Sequence, residues 1–206
     1  LEKDVTLRLY VRDRKPSIRF AGRAYVLPRS ADAALPVQTV NTDTLELSLS
    51  RVSDRNLVRT IRENYFGKPL STYEADQFNA DLAQEVWTGT GSVQNELNVD
   101  MTTRLPMAQA LAEQPPGIYV LSASVPGQDR FDNPAAMQWF VLSDLGIATW
   151  SGVDGLHVSL HQLSTTAAAK GVTLSLVSRA NAILGTARTD GDGFATFPAG
   201  LTRGLG

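Results

Sequence analysis

The chain has 206 residues, enough for one large domain or two small ones at roughly 150 residues per domain. Its 19 basic and 21 acidic residues leave a formal net charge of −2, so we expect neither nucleic acid nor an anionic membrane surface as a partner. Hydrophobic residues make up 43% and charged residues 19%, which is a globular composition. The absence of cysteine excludes disulfides, thiol nucleophiles and thiolate metal sites.

The N-terminal region is predicted to begin with strands. Apolar and polar side chains alternate from Asp4 to Val11 and again from Leu45 to Leu49, which is the pattern of half-buried strands. No secretory signal precedes the first strand, and Leu1-Glu2 leads directly into it, so we expect an excised piece of a longer protein. Apolar runs are only a few residues long, and no membrane span is expected.

A polar, partly helical insertion is predicted over residues 54–82. Asp54 is a candidate N-cap, and apolar residues such as Leu57 and Ile61 recur at helical spacing. The stretch from Ser71 to Leu82 has few large apolar residues and predicts a weak helix or an ordered loop. Beyond it, alternation over residues 93–101 predicts a further strand.

Aromatic residues become less frequent beyond residues 143–147, where we place a domain boundary. Short strands separated by glycine-rich turns follow, a pattern typical of a β-sandwich. Only about five strands are predicted where a sandwich has about seven, so we expect the last strands to be missing. The sequence therefore predicts an all-β chain of two consecutive antiparallel β-sandwich domains. The first spans residues 1–144 with short helical insertions, and the second spans residues 145–206 and is incomplete at its C-terminus.

Two motifs resemble metal sites without satisfying their requirements. His157 and His161, the only histidines, would lie about 13 Å apart along a strand, which is too far for one ion. Asp190-Gly191-Asp192-Gly193 resembles the start of a calcium loop. Phe194 and Leu201, however, stand where an EF-hand needs oxygen ligands. We interpret the histidines as polar-face residues and the second motif as a hairpin turn.

No catalytic constellation is evident. Leu111-Ala112-Glu113-Gln114 matches the end of a Cys-x-Glu-Gln thioester motif, but leucine stands where the cysteine must be. No Gly-x-Ser-x-Gly elbow with a histidine partner is present, and neither common glycine-rich phosphate loop occurs. We therefore predict no catalytic, cofactor-binding or metal-binding residues, no cofactor and no enzymatic activity.

Several stretches, in fixed order along nearly the whole chain, carry a resemblance to a known family. They are residues 15–28, 52–57, 117–121, 138–146, 155–158, 171–172, 184–190 and 193–197. Together they resemble the bacterial alpha-2-macroglobulin family, which is built from consecutive macroglobulin domains. The resemblance implies that both sandwiches are macroglobulin domains from the N-terminal part of a much longer protein.

The resemblance also implies a function. Members are large periplasmic lipoproteins attached to the inner membrane, and they trap invading proteases after cleavage of a bait region. Many members then couple the protease through a thioester, which this cysteine-free chain does not contain. The expected partners are neighbouring macroglobulin domains, target proteases and, as a further candidate, a peptidoglycan synthase. The membrane would be reached only through a lipid anchor outside this chain.

Two other functions stay open at this point. Tandem immunoglobulin-like modules of an adhesin or carbohydrate-binding protein would use exposed aromatic residues in a shallow groove. We interpret Trp87, Trp139 and Trp150 instead as core or domain-junction residues, with Trp150 packed between the domains. A hydrolase with paired carboxylates is the third hypothesis, since acidic residues are scattered over both segments.

Overall fold

The computed structural model describes residues 9–22, 24–28, 30 and 32–201. The strands in this part of the chain are β1 (Ser17–Phe20), β2 (Ala24–Leu27), β3 (Ala34–Val40), β4 (Thr44–Val52), β5 (Ala83–Ser92), β6 (Met101–Pro106), β7 (Gly117–Ser124), β8 (Ala136–Leu142), β9 (Leu145–Gly152), β10 (Gly155–Gln162), β11 (Thr173–Val177), β12 (Ile183–Arg188) and β13 (Phe194–Pro198). The helices are α1 (Asp54–Arg62), α2 (Thr72–Asp81) and α3 (Ala108–Leu111).

Strands β1–β8 form two sheets, which together with α1–α3 we call the first unit. One sheet has the order β1-β3-β6 and the other the order β2-β8-β7-β4-β5. Only the β2–β8 pair is parallel among the strand pairs described here. In β4, Leu45, Leu47 and Leu49 alternate with polar residues and are almost fully buried in the core between the sheets. Tyr119 of β7 and Phe140 of β8 stack there with ring centroids 5.6 Å apart.

Strands β9–β13 form two smaller sheets, which we call the second unit. Their orders are β13-β10-β9 and β11-β12. The buried core between them consists of Val158, Leu160, Ala169 and Phe197. The prediction of an all-β chain with two successive antiparallel sandwiches is confirmed, whereas the domain limits 1–144 and 145–206 stay a prediction.

The helices between β4 and β5 cover one end of the outer face of the five-stranded sheet. Trp139 of β8 lies beneath them, 1% exposed, and its indole N–H donates to the Lys68 carbonyl over 3.0 Å. Phe78 of α2 packs on Trp139 with ring centroids 5.2 Å apart. The helical insertion is therefore held to the sheet by a second apolar cluster, separate from the main core.

The two helices of the insertion begin differently. Ser71 forms a capping box at the start of α2, where its Oγ accepts from the Glu74 N–H and Glu74 Oε2 accepts from the Ser71 N–H. The stretch predicted as a weak helix or a loop is therefore a capped helix. The N-cap of α1 is Ser53 rather than the predicted Asp54, and its side chain makes no capping hydrogen bond.

Two predicted strands are wrong or lie partly outside the described residues. Positions 4–8 of the predicted strand Asp4–Val11 are outside them, and Leu9 to Val11 are 80–90% exposed without regular secondary structure. Residues 93–100 form a loop, and strand pairing resumes at β6. The side chain of Asn98, whose φ is 65°, holds this loop by accepting from the Arg14 N–H over 2.8 Å. Hydrogen bonds with side chains, rather than strand pairing, therefore hold residues 93–100 in place.

Candidate interaction surfaces

A groove of about 580 Å³ crosses the uncovered, polar end of the five-stranded sheet. Its floor is made of hydroxyl-bearing residues from neighbouring strands. Strand register places Ser48 of β4 between Thr88 of β5 and Ser122 of β7, because the three are cross-strand partners. Its walls are α2 and the loop after β7, which are joined where the Thr72 hydroxyl donates to the Arg130 carbonyl over 2.7 Å.

The groove can offer hydrogen bonds but does not assemble an activated nucleophile. Ser48 Oγ donates to Glu85 Oε2 over 2.7 Å, so this hydroxyl faces a carboxylate without an imidazole between them. A serine nucleophile needs a base such as histidine within hydrogen-bond reach. Both histidines of the chain lie in β10 of the second unit. The arrangement suits a contact surface better than acyl transfer.

His157 is the centre of a polar and aromatic cluster on the outer face of the second unit. Its Nε2 lies 3.1 Å from Asp154 Oδ1, and its Nδ1 lies 3.1 Å from the Thr196 hydroxyl. The hydrogen bond with His157 lowers the pKa of the Asp154 carboxyl below its ordinary value. Trp150 stacks on the imidazole at 5.8 Å, and Phe194 meets Trp150 edge-on at 6.1 Å. These contacts fix the orientation of His157 within the sheet face.

The structure places both histidines on the outer face of β10, as the strand pattern predicts. His161 Nδ1 lies 3.2 Å from the hydroxyl of Ser159, so each imidazole has a hydroxyl neighbour of its own. No group of three or more histidine, cysteine, aspartate and glutamate side chains comes together among the residues with described positions. The prediction that the chain has no catalytic or binding residues stays a prediction.

The aspartate-glycine segment forms a tight turn, as predicted, and it joins strands of two different sheets. Asp190 Oδ1 accepts from the N–H groups of Asp192 and Phe194 over 3.0 and 2.9 Å, so the carboxylate satisfies its own turn. The strands that the turn joins, β12 and β13, belong to different sheets. The Asp190 N–H donates to the Phe194 carbonyl and the Gly193 N–H donates to the Asp190 carbonyl, so the turn is closed locally as in a hairpin, while the strands beyond it pass from one layer of the sandwich to the other.

The three tryptophans have three different environments. Trp139 is buried, and Trp87 is partly buried against the main core. Trp150 is 47% exposed on the outer sheet face, where its ring contacts His157 and Phe194 of the second unit, so it is not buried at a domain junction. Leu111, at the position of the missing thioester cysteine, is buried in the first core.

Two family models match consecutive parts of the chain. The model of the bacterial alpha-2-macroglobulin MG2 domain matches residues 19–140, and that of the MG3 domain matches residues 142–206. Two β-sandwiches in series, with these matches, define a tandem of macroglobulin domains. The first match alone covers more than half of the sequence, and the chain belongs to the bacterial alpha-2-macroglobulin family.

Curated relatives carry the same family name and are much longer. The chain is 27% identical over 191 residues to the alpha-2-macroglobulin of Escherichia coli (strain K12), which covers 93% of this chain and 11% of that protein. It is 23% identical over 202 residues to the alpha-2-macroglobulin of Xylella fastidiosa (strain 9a5c), covering 95% of this chain and 12% of that protein. The chain thus spans about a ninth of the length of these relatives.

Solved structures of the family superimpose on the chain. A crystal structure of native Escherichia coli alpha-2-macroglobulin spanning domains NIE-MG1 matches with a TM-score of 0.73 and 25% identity, over 91% of this chain and 89% of that one. The cryo-EM reconstruction of the native conformation of the same protein matches with a TM-score of 0.67 and 26% identity, over 91% of this chain and 12% of that one. The sandwiches of this chain therefore correspond to a small part of a larger assembly of domains.

Proposed function

We propose that this chain is a non-catalytic scaffold segment of a protease-trapping inhibitor of the bacterial alpha-2-macroglobulin type, which protects the cell envelope from foreign proteases. The observation that carries the proposal is the match of two consecutive macroglobulin domain models to residues 19–140 and 142–206. A scaffold domain works by packing against its neighbours and holding the shape of the whole molecule.

The chemistry of the residues supports a scaffold role. The sequence contains no cysteine, so a thioester, where the longer protein has one, belongs to another segment. The hydroxyl-rich groove lies in the first unit, and both imidazoles lie in the second. Capture of a protease would therefore depend on a bait region and a reactive group in other domains, held in place by segments such as this one.

The proposal extends to partners and location. The segment comprises domains at residues 1–144 and 145–206, flanked by further macroglobulin domains of the same polypeptide. The targets of the longer protein are proteases, with a peptidoglycan synthase as an additional candidate partner. Within the described part of the chain, no helix has the length and apolarity to cross a bilayer. The proposed location is the periplasm, with a lipid anchor to the inner membrane outside this segment.

The test uses the longer protein that carries this chain. Incubation with active trypsin should produce a complex that co-migrates with the longer protein on a native gel, because bait cleavage triggers trapping. Trypsin blocked at its active-site serine is the matched control and should migrate freely, since it cannot cleave the bait. If active trypsin also migrated freely, the protease-trapping function would be rejected.

A further inference from the structure

An apolar cleft of about 430 Å³ separates α1 of the first unit from the turn between β11 and β12 of the second. On the α1 side, Val58 and Ile61 line the cleft. Among the residues of this helix, only Thr60 is fully buried, and Ile61 is 57% exposed. The helix therefore presents to the cleft an apolar flank that its own unit does not cover.

The opposite wall comes from the β11–β12 hairpin. Val177 and Arg179 line the cleft there, and Val177 is 41% exposed. Ile183, at the other end of the same turn, is 66% exposed. The turn itself is closed by hydrogen bonds between Ser178 and Ala182. The conformation of this wall therefore does not depend on a segment bound in the cleft. Two apolar walls from different units thus face one space.

Two arginines line the cleft, and no carboxylate does. Arg62 lies on the α1 side and Arg179 on the hairpin side. Neither makes an ion pair with a described residue, whereas the neighbouring Arg59 is paired with Glu63 at 2.8 Å. An apolar space flanked by two uncompensated cations is complementary to an apolar side chain with carboxylates beside it.

We propose that this cleft binds an acidic and apolar protein segment supplied by another domain of the longer polypeptide. This inference rests on the proposed function, since it requires the further domains. The chain is only 11–12% as long as its curated relatives. Most of the protein surface that could reach the cleft would therefore belong to other domains of the same polypeptide. Attachment gives such a segment a high effective concentration, and a weak contact is then enough.

Two other occupants fit the cleft less well. A second copy of this chain joined through a two-fold interface would bring Arg62 and Arg179 against the same arginines, and like charges would repel. An anionic bilayer would meet a chain whose net charge is −2. A segment inserted in the cleft would contact both units at once, and it would fix the orientation of the second unit relative to the first.

The experiment compares amide hydrogen exchange in the isolated 206-residue chain and in the longer protein. Residues 54–64 and 177–183 should exchange at least tenfold more slowly in the longer protein, because an occupant covers both walls. Amides of β4, which lie in the main core, should exchange equally in both and control for the fold. Equal exchange of α1 and the hairpin in the two proteins would overturn the proposal.

Variants test whether Ile61, Arg62 and Arg179 are needed for the slower amide exchange in the longer protein. Ile61→Asp and the pair Arg62→Glu with Arg179→Glu, introduced into the longer protein, should each remove the slower exchange. Ile61 is already more than half exposed, so its replacement leaves the fold intact, which circular dichroism checks. Tyr73→Asp on α2 is the matched control, since Tyr73 is 72% exposed and lies outside the cleft. Protection that survives both cleft variants would contradict the inference.

Two further measurements distinguish the proposed occupant from a second copy of the chain and from a membrane. Together with the trypsin experiment, the exchange data also show whether the cleft inference or the trapping function fails. Concentration-dependent dimerisation of the isolated chain that Ile61→Asp abolishes would replace the proposal with self-association. Binding of the isolated chain to phosphatidylglycerol vesicles that requires Arg62 and Arg179 would replace it with a membrane. If the longer protein traps trypsin while α1 stays unprotected, only the cleft inference fails. If α1 is protected but trypsin migrates freely, only the trapping function fails.

Discussion

The two units bury apolar surface to very different extents. In the first unit, a main core between two sheets and a second cluster under the helices together bury more than twenty hydrophobic residues. The second unit buries only four in its core. Over the described residues from 145 onward, eight large apolar side chains are exposed: Leu145, Ile147, Trp150, Val153, Leu163, Val177, Ile183 and Phe194.

This difference indicates where the chain depends on its surroundings. A small unit with a thin core has little free energy of unfolding of its own, since apolar burial is the main favourable contribution. Its exposed apolar side chains are then available for contacts with other domains. The first unit, in contrast, has enough core to serve as the rigid member of the pair.

Phe197→Ala in the second unit is the strongest test of the difference in core size between the two units. Phe197 is 3% exposed and belongs to the four-residue core, so the free energy of unfolding should fall by about 3–5 kcal/mol. We expect amides of β10 to lose protection from hydrogen exchange while those of β4 keep it. Phe194→Ala, on the outer face and 44% exposed, is the control and should change little. Simultaneous loss of protection in β4 would show that the units unfold as one.

A second, smaller effect is expected at the turn between the layers of the second unit. Gly193 has a φ of 78°, and a Cβ there would collide with the Leu160 carbonyl oxygen. Gly193→Ala should cost about 1–3 kcal/mol, because both the backbone conformation and the space favour glycine. Gly191→Ala in the same turn is the control, since no heavy atom lies within 4 Å of the new Cβ. Thermal unfolding of the two variants measures the difference. Equal midpoints would show that position 193 does not require glycine.

In the first unit, Tyr119→Phe should have a more modest effect. The buried Tyr119 hydroxyl donates to the Pro115 carbonyl over 2.6 Å and ties the start of β7 to the preceding turn. Removing the hydroxyl should lower the free energy of unfolding by about 1–2 kcal/mol while the large core keeps the unit folded. Tyr73→Phe, at an exposed position, should leave urea unfolding unchanged. A Tyr119→Phe variant that unfolds outright would contradict the picture of a robust first unit.

The smallest effect concerns the helical cover of the first unit. Ser71→Ala removes the capping box of α2 and should cost about 1 kcal/mol, whereas Ser53→Ala removes an N-cap side chain that makes no capping bond. Hydrogen bonds from the side chain and the backbone N–H of Ser71 lower the pKa of Glu74. The stabilisation by Glu74 is therefore complete above its ordinary pKa, and it is lost as the pH falls through the lowered value.

Urea unfolding over a range of acidic pH checks this prediction. The loss of stability toward low pH should be shallower in Ser71→Ala than in the unmodified chain, since Glu74 loses the hydrogen bond from the Ser71 hydroxyl and keeps only the one from the backbone N–H. Ser53→Ala should follow the unmodified chain at every pH. If the two serine variants behaved alike, the cap would have no measurable role in holding α2 on the sheet.

The sequence predicts strands best where leucines or valines alternate strictly. The patterns in β4 and β10 lead directly to two of the central strands, because one face of each is buried. Strand β5 was not predicted, since Gly89 and Gly91 interrupt its pattern. The structure gives the reason: the indole of Trp87 lies over Gly89, where a Cβ would collide with it. Trp87 and Gly89 are two residues apart and share one face of the strand, so the glycine makes room for the neighbouring indole while it interrupts the apolar alternation.

The surfaces were harder to predict than the strands. The amphipathic pattern of α1 is visible in the sequence, but the hairpin that faces it across the cleft is more than a hundred residues away. Likewise, Trp150 and His157 meet because the register of β9 and β10 makes them cross-strand partners. Register and the placement of one unit beside another are set by the whole fold, so single-sequence patterns do not reveal these clusters.

The most direct test of the scaffold role is made on the isolated 206-residue chain. It is incubated with active trypsin and with elastase, and complex formation is followed by size-exclusion chromatography alongside hydrolysis of a small peptide substrate. The account predicts separate elution of chain and protease and an unchanged kcat/KM for the peptide substrate. A stoichiometric complex, or a rate of peptide hydrolysis that the chain itself supplies, would contradict it.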